Sequence, residues 1–304
     1  MLCVACSWSM KRAVLIVNPK ATRVTEEGIS AVERALMGSA YLRTVRTERP
    51  RHAVELAREA ADADALIVFS GDGGFNEVLN GVERTDQALG FVPGGGTSVL
   101  PRALGLPRDA VTAAERLADA LRNDRTRKIS TGRVNGRRFG FGAGIGIDAE
   151  AVRRIDGRGR TPEGERPGDL AFLGTFARLV LERRGRFEPV LEIDGYGRAA
   201  FVLVANVNPY SFLKTVAIKA SPEAAFEAGL DFLAPASLTP RTVTPLLFAL
   251  ATGRPARNAL RGHDLDRIAV RSDRPLPLHA DGEDLGDVTE AVFEAERDSI
   301  TVLV

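Results

Sequence analysis

Cysteine is nearly absent. The two present, Cys3 and Cys6, sit together in CVAC at the start of the 304-residue chain. A chain this long without a cysteine framework does not depend on disulfides, and its expected compartment is reducing. One CxxC beside only three histidines makes a weak zinc case. Long apolar runs are missing too. AAFVLVA (199–205) and PLLFALA (245–251) fall far short of the roughly 18 residues of a membrane span. The apolar start MLCVACSWSM precedes Lys11-Arg12 instead of following a basic region, the wrong order for a secretory signal. It reads as an extension ahead of the first strand. No charge of either sign dominates: 41 basic residues face 40 acidic ones, which gives no field for nucleic acid. Gly-Lys occurs nowhere, so a GxxxxGK[ST] phosphate loop is excluded.

What is present is alternation. AVLIV (13–17), YLRTVRT (41–47), ALIVF (65–69) and ALGFV (88–92) read as strands. Between and after them, 26–37, 53–63, 75–82 and 109–122 carry helical patterns. Short apolar strands alternating with helices predict a parallel sheet covered on both faces. Past residue 128 the texture turns to hairpins, with Asn135-Gly136 and Asp194-Gly195 as tight-turn pairs. One helix, 169–184, interrupts a strand-rich half that ends in 267–273, 275–283, 288–296 and 299–304. The polar stretch 153–169 reads as a loop. The expected fold class is an α/β N-terminal domain with a parallel sheet, over 11–127, and a mostly β, sandwich-like domain over 128–304. The last segment of that second domain is free to pack back on the first.

Three consecutive strand-to-helix junctions are unusual: Asn18-Pro19-Lys20-Ala21-Thr22, Gly71-Asp72-Gly73-Gly74, and Pro93-Gly94-Gly95-Gly96-Thr97-Ser98. Ligands of open α/β sheets bind at the carboxyl ends of strands. Glycines there let backbone N–H groups converge on an anion, and a following helix N-terminus adds a favourable dipole. Asp72 is the odd member, since a carboxylate repels phosphate. It fits a metal-bridged nucleotide, or a group that accepts a hydrogen bond from an attacking hydroxyl. The next helix presents Phe75, Val78, Leu79 and Val82 as an apolar stripe, with Asn76, Glu77 and Asn80 off it.

SGDGGFNEVLNG (70–81) resembles the GGDGTxxEVxNG signature of the diacylglycerol kinase and sphingosine kinase family of lipid kinases. NPKAT resembles that family's nucleotide loop, and Thr47 followed by His52-Ala53 its next element. PGGGTSVLPRALGLP (93–107), GAGIGIDAE (142–150) and HADGE (279–283) resemble later motifs, in order, from residue 12 to the end. The resemblance implies two domains with the active site in the cleft between them, ATP as phosphoryl donor, and Mg²⁺. It assigns nucleotide binding to Asn18, Pro19, Lys20, Ala21, Thr22, Thr47, Gly71, Asp72, Gly73, Gly74, Phe75, Asn76, Glu77, Gly94, Gly95, Gly96 and Thr97. It assigns the nucleotide's metal to Asp281 and Glu283, and catalysis to Glu283 as proton acceptor with Asp281 and Asp72.

The chain also departs from that pattern. Gly74 replaces a threonine, Thr97 comes one place late, and Ser98-Val99 stand for Asn-Asp. The stretch comparable to a structural Mg²⁺ loop, 224–232, offers Glu227 and Asp231 only, and no second metal is expected. The expected reaction is phosphoryl transfer to a lipid hydroxyl, diacylglycerol before others. A kinase acting on NAD or a sphingoid base, and a binding protein that has lost catalysis, stand as alternatives. An NAD(P)-dependent oxidoreductase read from GAGIGIDAE is disfavoured, because the third glycine is misplaced and the segment lies after the α/β half. A cytoplasmic enzyme of this kind must visit a membrane surface. Arg153, Arg154, Arg158, Arg160, Arg166, Arg178, Arg183, Arg184 and Arg186 are candidates for that contact. A homodimer is left open.

Overall fold

The computed structural model describes residues 10–157, 169–213, 216–256 and 258–304. CVAC, and the loop arginines 158, 160 and 166, lie outside the described residues. The chain opens with β1 (Arg12–Val17), α1 (Glu26–Leu36), β2 (Tyr41–Arg46), α2 (His52–Glu59), β3 (Ala65–Ser70), α3 (Asp72–Leu79), β4 (Ala88–Pro93), α4 (Val99–Ala103) and α5 (Ala110–Arg122). It continues with β5 (Thr126–Val134), β6 (Arg137–Phe139), β7 (Gly142–Ile145), α6 (Ile147–Asp156), α7 (Asp169–Glu182), β8 (Leu191–Ile193), β9 (Gly197–Ala199) and β10 (Val202–Ala205). Last come β11 (Ser211–Leu213), β12 (Val216–Ile218), β13 (Leu230–Pro235), α8 (Pro240–Thr252), β14 (Ala259–Leu265), β15 (Arg267–Ala280) and β16 (Glu283–Leu303).

The first four strands are parallel in the order β4-β3-β1-β2. β3 and β4 are buried along their whole length, as strands covered on both faces must be. The chain crosses from β2 to the other side of β1 to form β3, so the topological switch lies between β1 and β3. The loops that leave those two strands are Asn18–Thr22 and the Gly-Asp-Gly-Gly segment. The later half is antiparallel, as its hairpin pattern predicts. β16 joins the two halves: it pairs antiparallel with β15 and β5, then runs parallel to β4 through Thr301 and Val302.

Several expected boundaries move. The helix read at 75–82 begins at Asp72, because Gly71 is its extended N-cap and an acid in the first turn favours the helix dipole. The first residues of the polar loop 153–169 are the last turn of α6, whose Ile147, Ala151, Val152 and Ile155 are buried on one face. PLLFALA belongs to α8, which starts at a Thr239–Thr242 capping box with Pro240 in its first turn. The four strands expected after 267 are two long ones, because the only sharp reversal among them is Asp281-Gly282.

Asp231, on buried β13, accepts from the Asp264 N–H at 3.0 Å and faces His263 Nδ1 at 2.9 Å. Glu227 pairs instead with Arg127. The hydrogen bond to Asp231 raises the His263 pKa above its ordinary value. A raised folded-state pKa means the contribution is complete below the unfolded value of about 6.5 and fades as pH rises through the folded one. Half of the His263 side chain is exposed, so solvent screening keeps the effect small. His263→Gln is therefore expected to lose stability relative to the parent at pH 6 and less at pH 9, by urea denaturation at both. A gap that widens with pH would contradict the pairing.

Candidate active site

The four parallel strands deliver their loops to one edge, and backbone hydrogen bonds tie those loops together. Asn18 N–H donates to Phe69 O at 3.0 Å, Arg23 N–H to Gly94 O at 2.9 Å, and Gly94 N–H to Ser70 O at 2.7 Å. Asn18 Oδ1 accepts from Lys20 N–H at 3.0 Å and shapes the first loop. Thr47 N–H donates to Val17 O at 2.8 Å, holding the end of β2 beside it.

The glycines divide by reason. A Cβ on Gly95 would come within 2.8 Å of Gly71 Cα, and one on Gly94 within 2.6 Å of Val24, so these positions are set by backbone packing. Gly96 has nothing within 4 Å, and a Cβ on Gly73 would meet only Glu283 Oε1, at 3.3 Å. No protein packing requires glycine at those two places. They leave room for a group that approaches the backbone at the N-terminus of α3.

Gly74 is different again. A Cβ there would collide with Ser70 Oγ. In the pattern this segment resembles, position 70 is glycine and 74 threonine, so hydroxyl and glycine have exchanged places. Ser70 is 1% exposed and its Oγ has no hydrogen-bond partner in the described structure. Gly74→Thr alone should cost about 1–3 kcal/mol by overpacking, and adding Ser70→Gly should recover most of it. Additive losses in a double-mutant cycle would show that the two positions do not share that space.

Asp72 Oδ1 accepts from Val99 N–H at 2.7 Å and from Leu100 N–H at 3.4 Å. Its carboxylate therefore caps α4. Glu77 accepts from Arg51 N–H at 3.0 Å and Ala53 N–H at 3.1 Å, which caps α2. Phe75 is turned into the core against Phe91, ring centroids 5.3 Å apart. Asn76, read as lying off the apolar stripe, is completely buried because it reaches across to the later half.

Asn76 Nδ2 donates to Asp281 Oδ2 at 2.8 Å. The same carboxylate accepts from Gly140 N–H at 2.6 Å, Phe141 N–H at 3.0 Å and Gly142 N–H at 3.2 Å. Asp281 and Gly282 form a two-residue hairpin turn with φ of 48° and 76°, the left-handed pair that such turns favour. Burial pushes the Asp281 pKa up, and the four donors work against that rise. Glu283, just past the turn, lies against Gly73 and pairs with Arg137, whose Nη2 also donates to Asn76 Oδ1 at 2.7 Å. Arg138 fastens the other end of α3: its Nη1 donates to Leu79 O at 2.8 Å, and Asn80 Oδ1 accepts from its N–H at 2.9 Å.

A cavity of about 450 Å³ begins at Asp72, Thr97, Asp281 and Gly282. It continues between apolar side chains such as Phe141, Val152, Phe176, Phe212, Leu246 and Leu250. Arg102 stacks on Phe212 with its guanidinium carbon 3.2 Å from the ring centre, which ties α4 to β11 beside the cavity. One wall carries a polar cluster that the motifs did not single out. Asp148 Oδ2 lies 2.7 Å from His279 Nε2 and accepts from Tyr210 OH at 2.7 Å. Burial would raise Asp148, but the His279 and Tyr210 contacts outweigh it and hold its pKa below the ordinary value. Burial, with Asp148 beside it, keeps the Tyr210 phenol well above its usual pKa. His279 was within reach of sequence reasoning, because two residues along a strand share a face and it stands two before Asp281. Arg137 and Tyr210 carried no such signal.

Glycine loops at a switch point, opening on a largely apolar cavity with a polar end, suit a phosphotransferase with a lipid acceptor. Residues 12–134 match the diacylglycerol kinase catalytic domain family. A diacylglycerol kinase of Bacillus subtilis (strain 168) is 35% identical over 293 residues, 90% of each chain. One of Staphylococcus haemolyticus is 34% identical over 139 residues, 42% of this chain and 40% of that protein. A crystal structure of a diacylglycerol kinase from Bacillus anthracis str. Sterne superposes with a TM-score of 0.72 at 18% identity, covering 97% of both chains. The chain belongs to the diacylglycerol kinase catalytic domain family and is an ATP-using lipid kinase.

The four donors on Asp281 come from both halves of the chain, so Asp281→Asn puts an amide NH₂ against groups that can only donate. We expect a loss of about 2–3 kcal/mol in urea denaturation, alongside any loss of turnover. Unchanged stability would show that the carboxylate does not hold the turn.

Proposed function

We propose that the chain transfers the γ-phosphoryl group of ATP, with Mg²⁺, to the free hydroxyl of diacylglycerol, giving phosphatidic acid. The observation that carries this reading is the single cavity that runs from Asp72, Thr97 and Asp281 into an apolar interior. In this reading the nucleotide sits on the 11–127 side, along Asn18–Thr22, Thr47, Gly71–Gly74 and Gly94–Thr97, and the acyl chains sit on the 128–304 side. Gly73 and Gly96 let phosphate oxygens reach the backbone.

The acceptor alcohol has a pKa near 16, and the phosphoryl transition state is loose, so positioning and late proton removal matter more than a strong base. Glu283 is the proton acceptor we assign: it lies against Gly73, next to the Asp281-Gly282 end of the cavity, and is partly exposed. Arg137 holds that carboxylate in place. Asp281 positions the turn, its oxygens taken by four donors. Among the described residues no group of three or more His, Cys, Asp or Glu could hold a metal ion. Mg²⁺ would thus be held largely by phosphates and water, with Glu283 and Asp72 the carboxylates toward it, and would supply charge neutralisation.

The test is label transfer from γ-labelled ATP and Mg²⁺ to diacylglycerol, a sphingoid base, a polyprenol and NAD in mixed micelles. Diacylglycerol should be labelled, and Glu283→Gln should lower kcat about 10²- to 10⁴-fold with the melting temperature unchanged. Label on NAD or the sphingoid base would move the acceptor assignment. Full activity in Glu283→Gln would remove this residue as the base.

A further inference from the structure

A lipid acceptor must leave a bilayer to reach the cavity, so the rim of that cavity faces the place it comes from. Val216 of β12 and Leu247 of α8 line the cavity and are yet 51% and 44% exposed. Next to them Phe248, 55% exposed, points outward. Large apolar side chains in water are ordinary when scattered, but these three stand on two elements in contact at one opening. The outer face of α8 repeats at helical spacing through Arg241, Thr244, Phe248 and Thr252, all exposed. The Arg254 guanidinium lies 5.8 Å from the centre of the Phe248 ring. No aspartate or glutamate occurs between Asp231 and Asp264, in a chain with nearly equal numbers of acids and bases.

Three of the arginines expected at a membrane from the sequence are differently placed. Arg153 is paired with Asp284 and Asp287, Arg154 with Glu150 and Glu182, and Arg178 with Glu182. Their charge is largely neutralised within the protein.

We propose that the outer face of α8, with Val216 at the cavity rim, docks the enzyme on an anionic bilayer. The proposal rests on the lipid-kinase reading of the cavity and adds the surface by which the substrate is collected. Phe248 and Leu247 enter the acyl boundary, while Arg241 and Arg254 lie at the level of the phosphates. The phosphorylated product adds negative charge to the same surface, so turnover would strengthen the contact.

The experiment is co-sedimentation of the full chain with vesicles of phosphatidylcholine, alone or with one third phosphatidylglycerol. Turnover is measured on long-chain diacylglycerol in the same vesicles and on a short-chain diacylglycerol dispersed as monomers. Phe248→Asp should weaken partitioning at least about tenfold. Arg241→Glu and Arg254→Glu should each weaken it about fivefold or more, on anionic vesicles only. Vesicle turnover should fall in parallel, with short-chain turnover unchanged. Tyr41→Asp, at a still more exposed aromatic on the edge strand β2, should change neither. Equal sedimentation of parent and Phe248→Asp would overturn the proposal. So would loss of short-chain turnover in Phe248→Asp, or a parent dimer that this variant dissociates without affecting vesicle binding. A parent that binds anionic vesicles through this face yet phosphorylates neither acceptor would keep the docking surface and end the diacylglycerol reading.

Discussion

One buried carboxylate carries the geometry of the site. Asp281 is 3% exposed, and leaving its charge in such a place without partners would be prohibitive. It accepts instead from four N–H groups that belong to two separate pieces of the chain, the run Gly140–Gly142 and the α3 residue Asn76. The bonds are short and shielded, so they reinforce one another. Because Asp281 sits at the tip of a two-residue turn, fixing its side chain also fixes the next strand. Glu283 is then held against Gly73, with Arg137 clamping it from β6. The two sides of the cleft are tied because a carboxylate of the later half takes one of its four donors from a helix of the first.

The same chemistry explains two acids that read as nucleotide residues. α2 follows Arg51 and α4 follows Ser98, both in left-handed backbone with φ of 64° and 48°, and neither residue caps its own helix with a side chain. The first N–H groups of each helix need an acceptor from elsewhere. Glu77 supplies one and Asp72 the other. The Gly-Asp-Gly-Gly-Phe-Asn-Glu segment is thus a helix whose carboxylates start two neighbouring helices while its first turn faces the cleft. An acid between glycines beside a phosphate cradle is unfavourable as a point charge. It becomes tolerable once backbone N–H groups of α4 have taken up its Oδ1.

Much of this was legible in the chain. Short apolar runs located the four parallel strands and period-3.6 patterns the helices other than α4, and the glycine runs at successive strand ends marked the edge where the loops meet. The Asp281-Gly282 pair could be read as a turn, since few sequences favour positive φ twice in succession. What the pattern could not convey was direction across long separations. Asn76 and Glu77 are adjacent, and nothing local says that one reaches Asp281, 205 positions on, while the other turns back to α2. Arg137 looks like any other arginine in an arginine-rich chain until β6 is placed beside α3. Helix α8 was hidden because an apolar run with Val and Thr reads equally as strand, although Thr239-Pro240 carries the cap and first-turn signal. The Ser70–Gly74 exchange looked like the loss of a hydroxyl; only close packing shows it as a relocation.

The way the halves are joined also constrains how the enzyme can work. Phosphoryl transfer to an alcohol needs water kept from the γ-phosphate, which many kinases achieve by closing two lobes about a hinge. Here β16 pairs with β5 and β15 and then enters the parallel sheet beside β4, so wide separation of the halves would strip Thr301 and Val302 from Ala88 and Leu89. The Asp281 bonds would go with them. Wide opening of the cleft is therefore opposed by strand pairing, and an apolar lining is a second means of keeping it dry. That lining is mainly apolar, apart from Asp72 and Asp281 at one end and the Asp148, His279 and Tyr210 cluster on one wall. A lipid that fills it excludes water by its own acyl chains. In the proposed docking mode the lipid enters past the α8 and β12 rim, which places the demand for local motion on partly exposed elements whose opening costs least.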